Sequence, residues 1–318
     1  MQPSSAPRGK LVVAHPDRKA QRALHRLVGA TQCPVEVVDS IDALMKVVDD
    51  QTIVVIDTSL AIARPAIRET AARGWIAVPG EGLSPADASV VDALLTAGWT
   101  HIVSHPMPIL SEELLATVQK LVRGAAFGLE KYVAWGAEVR SYTLEDASDR
   151  DNAVTALAHD VVAVGLPDRI GSLVSVIADE LIANALYVAP VDGSGARIRV
   201  AEPRDRARPL TGRDVVTVRW ATDARYLAIE VRDRWGSMDL STIAPRLAAG
   251  GKQATNSESG MGLPLAYACC NQFIIGCAPG AMTEVIALVD VRYKPTDIGR
   301  SASFHTFSGA IDAEGASS

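Results

Sequence analysis

The first half of the chain alternates short, mainly apolar runs with amphipathic ones. Residues 11–14, 35–38, 53–57, 75–78 and 102–103, apolar but for Glu36 and the closing Asp57, predict strands. Between and after them, residues 18–28, 41–48, 86–95 and 112–122 place apolar side chains at three- and four-residue steps, with Leu24, Leu27 and Val28 on one face of the first. This pattern predicts helices, and apolar strands separated by helices predict a parallel sheet covered on both faces. Residues 111–139 extend the apolar spacing into one long or twice-broken helix, with Gly124 and Gly128 as the break points. Such a helix would join two domains and could form a dimer seam. The alternative is a last domain helix followed by a linker.

The second half has a different rhythm. Residues 140–144 alternate polar and apolar, as an edge strand would, and Asp149, Asp151 and Asn152 offer caps for a helix reaching Val164. Leu173, Val176, Ile177, Leu181 and Ala185 then recur at helical steps inside the apolar run 170–189. Strands are predicted at residues 215–220, in the run ending Val231-Arg232-Asp233, and at residues 283–288, with a helix over 263–270. The segment 192–214 is rich in Gly, Pro and Arg and reads as an exposed loop suited to a partner. Residues 1–8 and 295–318 read as disordered tails. The expected domains are therefore 9–123 and 149–294, with a helical connector over 124–148.

Composition narrows the function classes. A chain of 318 residues, 48% hydrophobic and 21% charged, suits two globular domains. The net charge of −6 and the lack of a long basic run disfavour nucleic acid as a main partner. The polar start carries no leader pattern, and no apolar run was expected to span a membrane, so the expectation is a cytoplasmic protein. Cys33, Cys269, Cys270 and Cys277 lack zinc spacing and read as small core residues in a reducing compartment.

Several polar residues interrupt these apolar elements in ways that suggest chemistry. Glu180 and Asn184, four apart, project from one side of a helix. A carboxamide oxygen there can ligate Mg²⁺, and the carboxylate can hold a water or act as a base beside it. Asp233 ends an apolar strand before Trp235-Gly236-Ser237. Gly260-Met261-Gly262 opens an apolar helix, where glycines let backbone N–H groups approach phosphate at the positive helix end. Thr283 starts the last predicted strand.

In this order the four stretches resemble the N, G1, G2 and G3 boxes of the ATP-binding fold shared by histidine kinases and anti-sigma serine kinases, the GHKL or Bergerat fold. The resemblance spans roughly residues 150–294. It implies an α/β-sandwich that binds ATP and Mg²⁺. By that resemblance Glu180 is the catalytic base, Asn184 the Mg²⁺ ligand and Asp233 the reader of the adenine amino group. Gly260 and Gly262 cradle phosphate, and Thr283 reaches adenine through water. Residues 240–259 match a mobile ATP lid, with Lys252 the best-placed cation for a terminal phosphate and Arg246 second. The G1 stretch departs from Asp-x-Gly-x-Gly, keeping only Gly236, and Trp235 would pack beside the base or under the lid.

The first half resembles the flavodoxin-like receiver domain of response regulators, a parallel five-stranded sheet, with Asp57 at the phospho-acceptor position. The rest of that pocket differs. One acid, Asp17, follows the first strand instead of a pair; Pro79-Gly80 follows the fourth strand, and His105-Pro106 replaces a Lys-Pro. The expectation is a pseudo-receiver used for interaction or dimerisation; the alternative is that Asp57 is phosphorylated. His159-Asp160 is expected to be a surface pair rather than a phospho-accepting His. The whole reads as a two-domain α/β signalling protein that binds Mg-ATP and regulates a protein partner, nearest in kind to a serine/threonine anti-sigma kinase. The alternatives are a non-catalytic scaffold, or an atypical histidine kinase.

Overall fold

A computed structural model describes residues 9–80, 86–204, 206–250, 262–292 and 301–310. Among them, eleven strands and nine α-helices make a mixed α/β protein. The chain divides into two compact units. One is Met1–Ala125 with Gly299–His305; the other is Ala126–Ile298 with Thr306–Ser318.

In the first unit, strands β1 (Lys10–Ala14), β2 (Val35–Val38), β3 (Thr52–Asp57), β4 (Gly74–Val78) and β5 (His101–Ile102) run parallel in the order 2-1-3-4-5. All six residues of β3 are buried, which is why its sequence is continuously apolar rather than alternating. Helices α1 (Arg18–Gly29), α2 (Ile41–Leu44), α3 (Thr58–Ala63), α4 (Ala88–Thr96) and α5 (Ile109–Arg123) fill the connections. Leu24 and Val28 of α1 join Leu114 and Val118 of α5 over Leu11, Val13, Ile53 and Val55 in one core cluster. Each such side chain removed from water contributes roughly 1.5–3 kcal/mol. The predicted helix over 41–48 closes early, at Leu44.

Two other expectations are corrected here. Residues 111–139 are not one long helix. Gly124, at φ 69°, takes the left-handed position that ends α5, and Ala125 N–H returns to the Lys120 carbonyl. The connector then holds only a short 3-10 turn, Leu129–Lys131, before a strand. Nor is the C-terminal segment wholly disordered, since Ser303–Ser308 forms strand β11. Its start pairs antiparallel with β5, Phe304 opposite Ile102 and His305 opposite His101. Polar side chains hold it there. Ser104 N–H donates to Ser303 Oγ at 2.9 Å, and the Glu113 carboxylate contacts His105 Nδ1 at 3.1 Å and His305 Nε2 at 2.8 Å. Burial alone would push the Glu113 carboxyl up; the two histidines outweigh it and hold it down at about 2.

The second unit is an antiparallel sheet in the order β9-β10-β8-β7-β6. Its strands are β6 (Val139–Thr143), β7 (Thr217–Thr222), β8 (Tyr226–Asp233), β9 (Gln272–Ala278) and β10 (Met282–Asp290). Helices α6 (Arg150–Ala163), α7 (Asp168–Ala183), α8 (Leu240–Gly250) and α9 (Gly262–Ala268) accompany it. Arg150 grips Asp179 with two N–H donors, at 2.6 and 2.5 Å, tying α6 to α7. The stretch Asp168–Val188 is long and apolar enough to cross a membrane by length and composition, contrary to the sequence expectation, yet more than half of it is buried inside the protein. It is the core helix of this unit.

The sheet also carries buried charge. Glu230 and Glu284 are fully buried, and Arg219 and Arg232 pair with them across the strands. Burial, then the neighbouring Glu284 charge, pushes the Glu230 carboxyl well above its ordinary range. The Gly128 amide donates to Glu284, so the connector is fastened onto these strands.

Candidate functional site

The site grows from the register of two strands. Thr283 of β10 lies directly opposite Asp233 of β8, and paired residues in an antiparallel ladder project from the same face. Asp233 ends its strand and caps the turn that follows. Its Oδ1 accepts from Trp235 N–H at 2.8 Å and Gly236 N–H at 3.2 Å. Burial pushes this carboxyl up, while the two amides act against the shift. Thr283 is buried beside Asp233, and its side chain helps to hold the Asp233 carboxyl lower than burial alone would.

Gly236 makes this turn possible. Its φ is 56°, and a Cβ there would sit 2.6 Å from Ala281 N and 2.7 Å from Met282 N, with the Ala278 carbonyl closer still. The turn packs directly on the β9–β10 hairpin, and Gly280 N–H donates to Gly236 O at 3.0 Å. Arg213 clasps the turn from outside. It donates to the carbonyls of Arg234, Trp235 and Gly280, and its guanidinium lies 4.6 Å over the Trp235 ring. Trp235 is therefore a packing element of the turn and does not line the cleft described next.

The third contributor is the end of α7. After Ala183 the backbone widens into a π-turn, Asn184–Val188, and Ala189 N–H donates to the Asn184 carbonyl at 2.9 Å. Such widened turns recur at functional sites. Asn184, Asp233 and Thr283 together line one open cleft with an empty volume of about 360 Å³. Ile243 and Arg246 of α8 and Leu263 of α9 also face it. Helix α8 occupies the first half of the segment expected to be a mobile lid.

Glu180 sits differently. It lies one turn before Asn184 but does not line the cleft. A Cβ on Gly262 would meet Glu180 Oε2 at 2.5 Å, so the carboxylate rests against the backbone where α9 begins. Gly262 is thus needed for close packing on Glu180. Lys252 and Gly260 lie outside the described residues.

Sequence reasoning missed Arg197, which lines the cleft from the loop after α7. The signal was there: an arginine after the tight Asp192-Gly193-Ser194-Gly195 sequence. His159 is exposed on α6, as expected for a surface residue.

Asp57 ends β3 with a similar local motif. Its Oδ1 accepts from Ser59 N–H at 2.9 Å and Leu60 N–H at 3.2 Å, and also from the Ser59 hydroxyl. Its Oδ2 faces His15 Nε2 at 3.4 Å, and both side chains are 1% exposed. His15 Nδ1 accepts from Asp17 N–H at 3.0 Å, which leaves the ring proton on Nε2, toward Asp57. Gly80 closes the other side, where a Cβ would lie 3.0 Å from Asp57 Oδ2. Among the described residues no group of three His, Cys, Asp or Glu side chains is arranged to hold a metal ion.

Compared with known proteins, the chain matches no family model and no curated protein.

Proposed function

We propose that the second unit binds ATP with Mg²⁺ and that the chain is a signalling protein that regulates a protein partner. One observation carries this reading: Asn184, Asp233 and Thr283, from three separate elements, converge on a single cleft. In that cleft a carboxylate suits the adenine amino group, and the Thr283 hydroxyl opposite it supplies a second polar contact. The Asn184 carboxamide suits Mg²⁺, which takes one or two protein oxygens and completes its shell with phosphates and water. Bound Mg²⁺ would neutralise phosphate charge. Asn184 would hold it, and Asp233 would orient the base.

The order of elements supports the finer assignment. Strand order 2-1-3-4-5 in the first unit is that of flavodoxin-like folds, which fits a receiver-like domain. The buried Asp57, whose Oδ1 is taken up in capping α3, favours an interaction module over a phosphorylated one. A GHKL-type ATP-binding domain fits the second unit. Four free cysteines fit a reducing, cytoplasmic setting.

A kinase of the anti-sigma type would use Glu180 as its base. The contact of Glu180 with Gly262, away from the cleft lining, favours a second reading, a nucleotide-binding scaffold that transfers no phosphoryl group. Equilibrium titration of ATP and ADP, with and without Mg²⁺, tests the common ground. Wild type is expected to bind, and Asp233→Ala to weaken binding more than about tenfold, the loss of one strong hydrogen bond. A folded wild type that binds neither nucleotide at millimolar concentration overturns the proposal.

A further inference from the structure

Two arginines line the cleft, Arg197 on the loop after α7 and Arg246 on α8. Arg246 forms no hydrogen bond or ion pair among the described residues. Arg197 donates from Nη1 to the Val188 carbonyl, and among the described residues it makes no ion pair. Burial, and then the like charge of Arg246, lower the proton affinity of Arg197, so the two guanidinium groups feel each other. Of the two acids in the lining, Asp233 Oδ1 is taken by the turn amides, and Asp239 Oδ1 by the Ser241 amide at 3.0 Å and hydroxyl at 2.7 Å.

The loop that carries Arg197 is built to hold it in place. Val191 and Arg197 pair across a tight hairpin. Asp192 Oδ1 gathers three donors inside it: Ser194 N–H at 2.8 Å, Ser194 Oγ at 2.6 Å and Ala196 N–H at 3.0 Å. Ile198 N–H then donates to Pro190 O at 3.2 Å. Arg197 is also fastened to Val188, the last residue of the π-turn that begins at Asn184. Like charges that face one cleft repel, and an anion between them relieves the repulsion. Guanidinium groups match phosphate oxygens in planar, two-point geometry.

We propose that Arg197 and Arg246 form the phosphate-binding end of the cleft and select adenine nucleotides bearing a di- or triphosphate over adenosine. The inference rests on the adenine-nucleotide reading for its base, but its phosphate half can be tested alone. Calorimetric titrations of adenosine, ATP and inorganic tripolyphosphate would be run on the full chain, on Arg197→Gln, on Arg246→Gln and on the double variant. Glutamine at 197 keeps a donor for the Val188 carbonyl, and a melting curve for each variant checks its fold.

Each single variant is expected to weaken ATP about tenfold, the range for one charge-assisted contact. Adenosine affinity is expected to stay unchanged, and tripolyphosphate binding to vanish in the double variant. Wild-type affinity for ATP and tripolyphosphate in the double variant overturns the inference. If wild type binds adenosine but ATP no more tightly, the phosphate end is wrong and the adenine reading survives. If it binds tripolyphosphate through these arginines but neither adenosine nor ATP, the adenine reading falls and the phosphate site stands. Binding of none of the three overturns both.

Discussion

Asp57 and Asp233 are near-duplicates in local structure. Each ends a buried strand, and each gathers the two amides of the following turn onto Oδ1. Both are almost completely buried. What differs is the second carboxylate oxygen's surroundings. Asp57 meets His15 and Gly80 and is closed in on every side named above. Asp233 lines a cleft beside the Thr283 hydroxyl. A strand-terminal aspartate is therefore informative only through its neighbours. The same capping chemistry builds a turn in one unit and the wall of a cleft in the other.

The comparison can be broken most forcefully at the glycines beside each carboxylate. Gly236→Ala puts a Cβ into backbone atoms at a left-handed φ, and should cost more than about 3 kcal/mol and abolish nucleotide binding. Gly80→Ala presses only on the Asp57 carboxylate and should cost about 1 kcal/mol, leaving binding intact. Urea denaturation of the two variants side by side checks the ranking. Equal costs would mean that the Asp233 turn is no tighter than the Asp57 turn.

The aspartates themselves come next. Asp57→Ala strips the cap from α3 and should cost about 1–2 kcal/mol. Asp233→Asn keeps an oxygen for the two amides, so its main effect should be on pH dependence. The folded state holds the Asp233 proton above the ordinary carboxyl range. Between the unfolded value and the raised one, the native state binds more protons, so stability falls as pH rises through that window. Asn should remove this part of the slope. Unfolding midpoints measured across the mildly acidic range would show whether the two variants' profiles differ in this way.

The smallest effect is expected at Thr283. Thr283→Val replaces the hydroxyl beside Asp233 with a methyl of similar size and should cost about 1 kcal/mol or less in stability. ATP affinity should fall about threefold to tenfold, since the water-bridged or direct contact is lost. A drop in stability with no change in affinity would make Thr283 a packing residue.

Much of this was legible in residue pattern. The apolar runs of β1, β3 and β4 stand where the sequence placed them, because burial on both sides dictates composition directly, whereas the buried stripe of α7 is rotated from the expected one: Ile177 and Leu181 are in it, but Val176 is exposed and Val174 and Ala178 are buried instead. Asn184, Asp233 and Thr283 were recognisable as a set. Three features escaped for physical reasons. Strand β11 reads as a polar tail, since its Ser and His side chains are satisfied by Ser104 and Glu113, about two hundred residues earlier in the chain. Helix α8 contains Pro245 and ends in Ala and Gly, a sequence that local propensity reads as loose. Arg197 carries no periodic signal, because its position depends on a hairpin closed by the Asp192 side chain.

The short β11–β5 ladder has a consequence for how the protein is born. The N-terminal unit counts Gly299–His305 among its own residues, and the buried Glu113 finds one of its two histidines only there. A ribosome delivers the chain from the N-terminus, and domains usually close as they emerge. Here the first unit must wait, with a buried-to-be carboxylate half served, while the 192 positions from Glu113 to His305 are synthesised. Its maturation thus follows the synthesis of the strands of the second unit, and a chain cut short before His305 would keep its first unit unfinished.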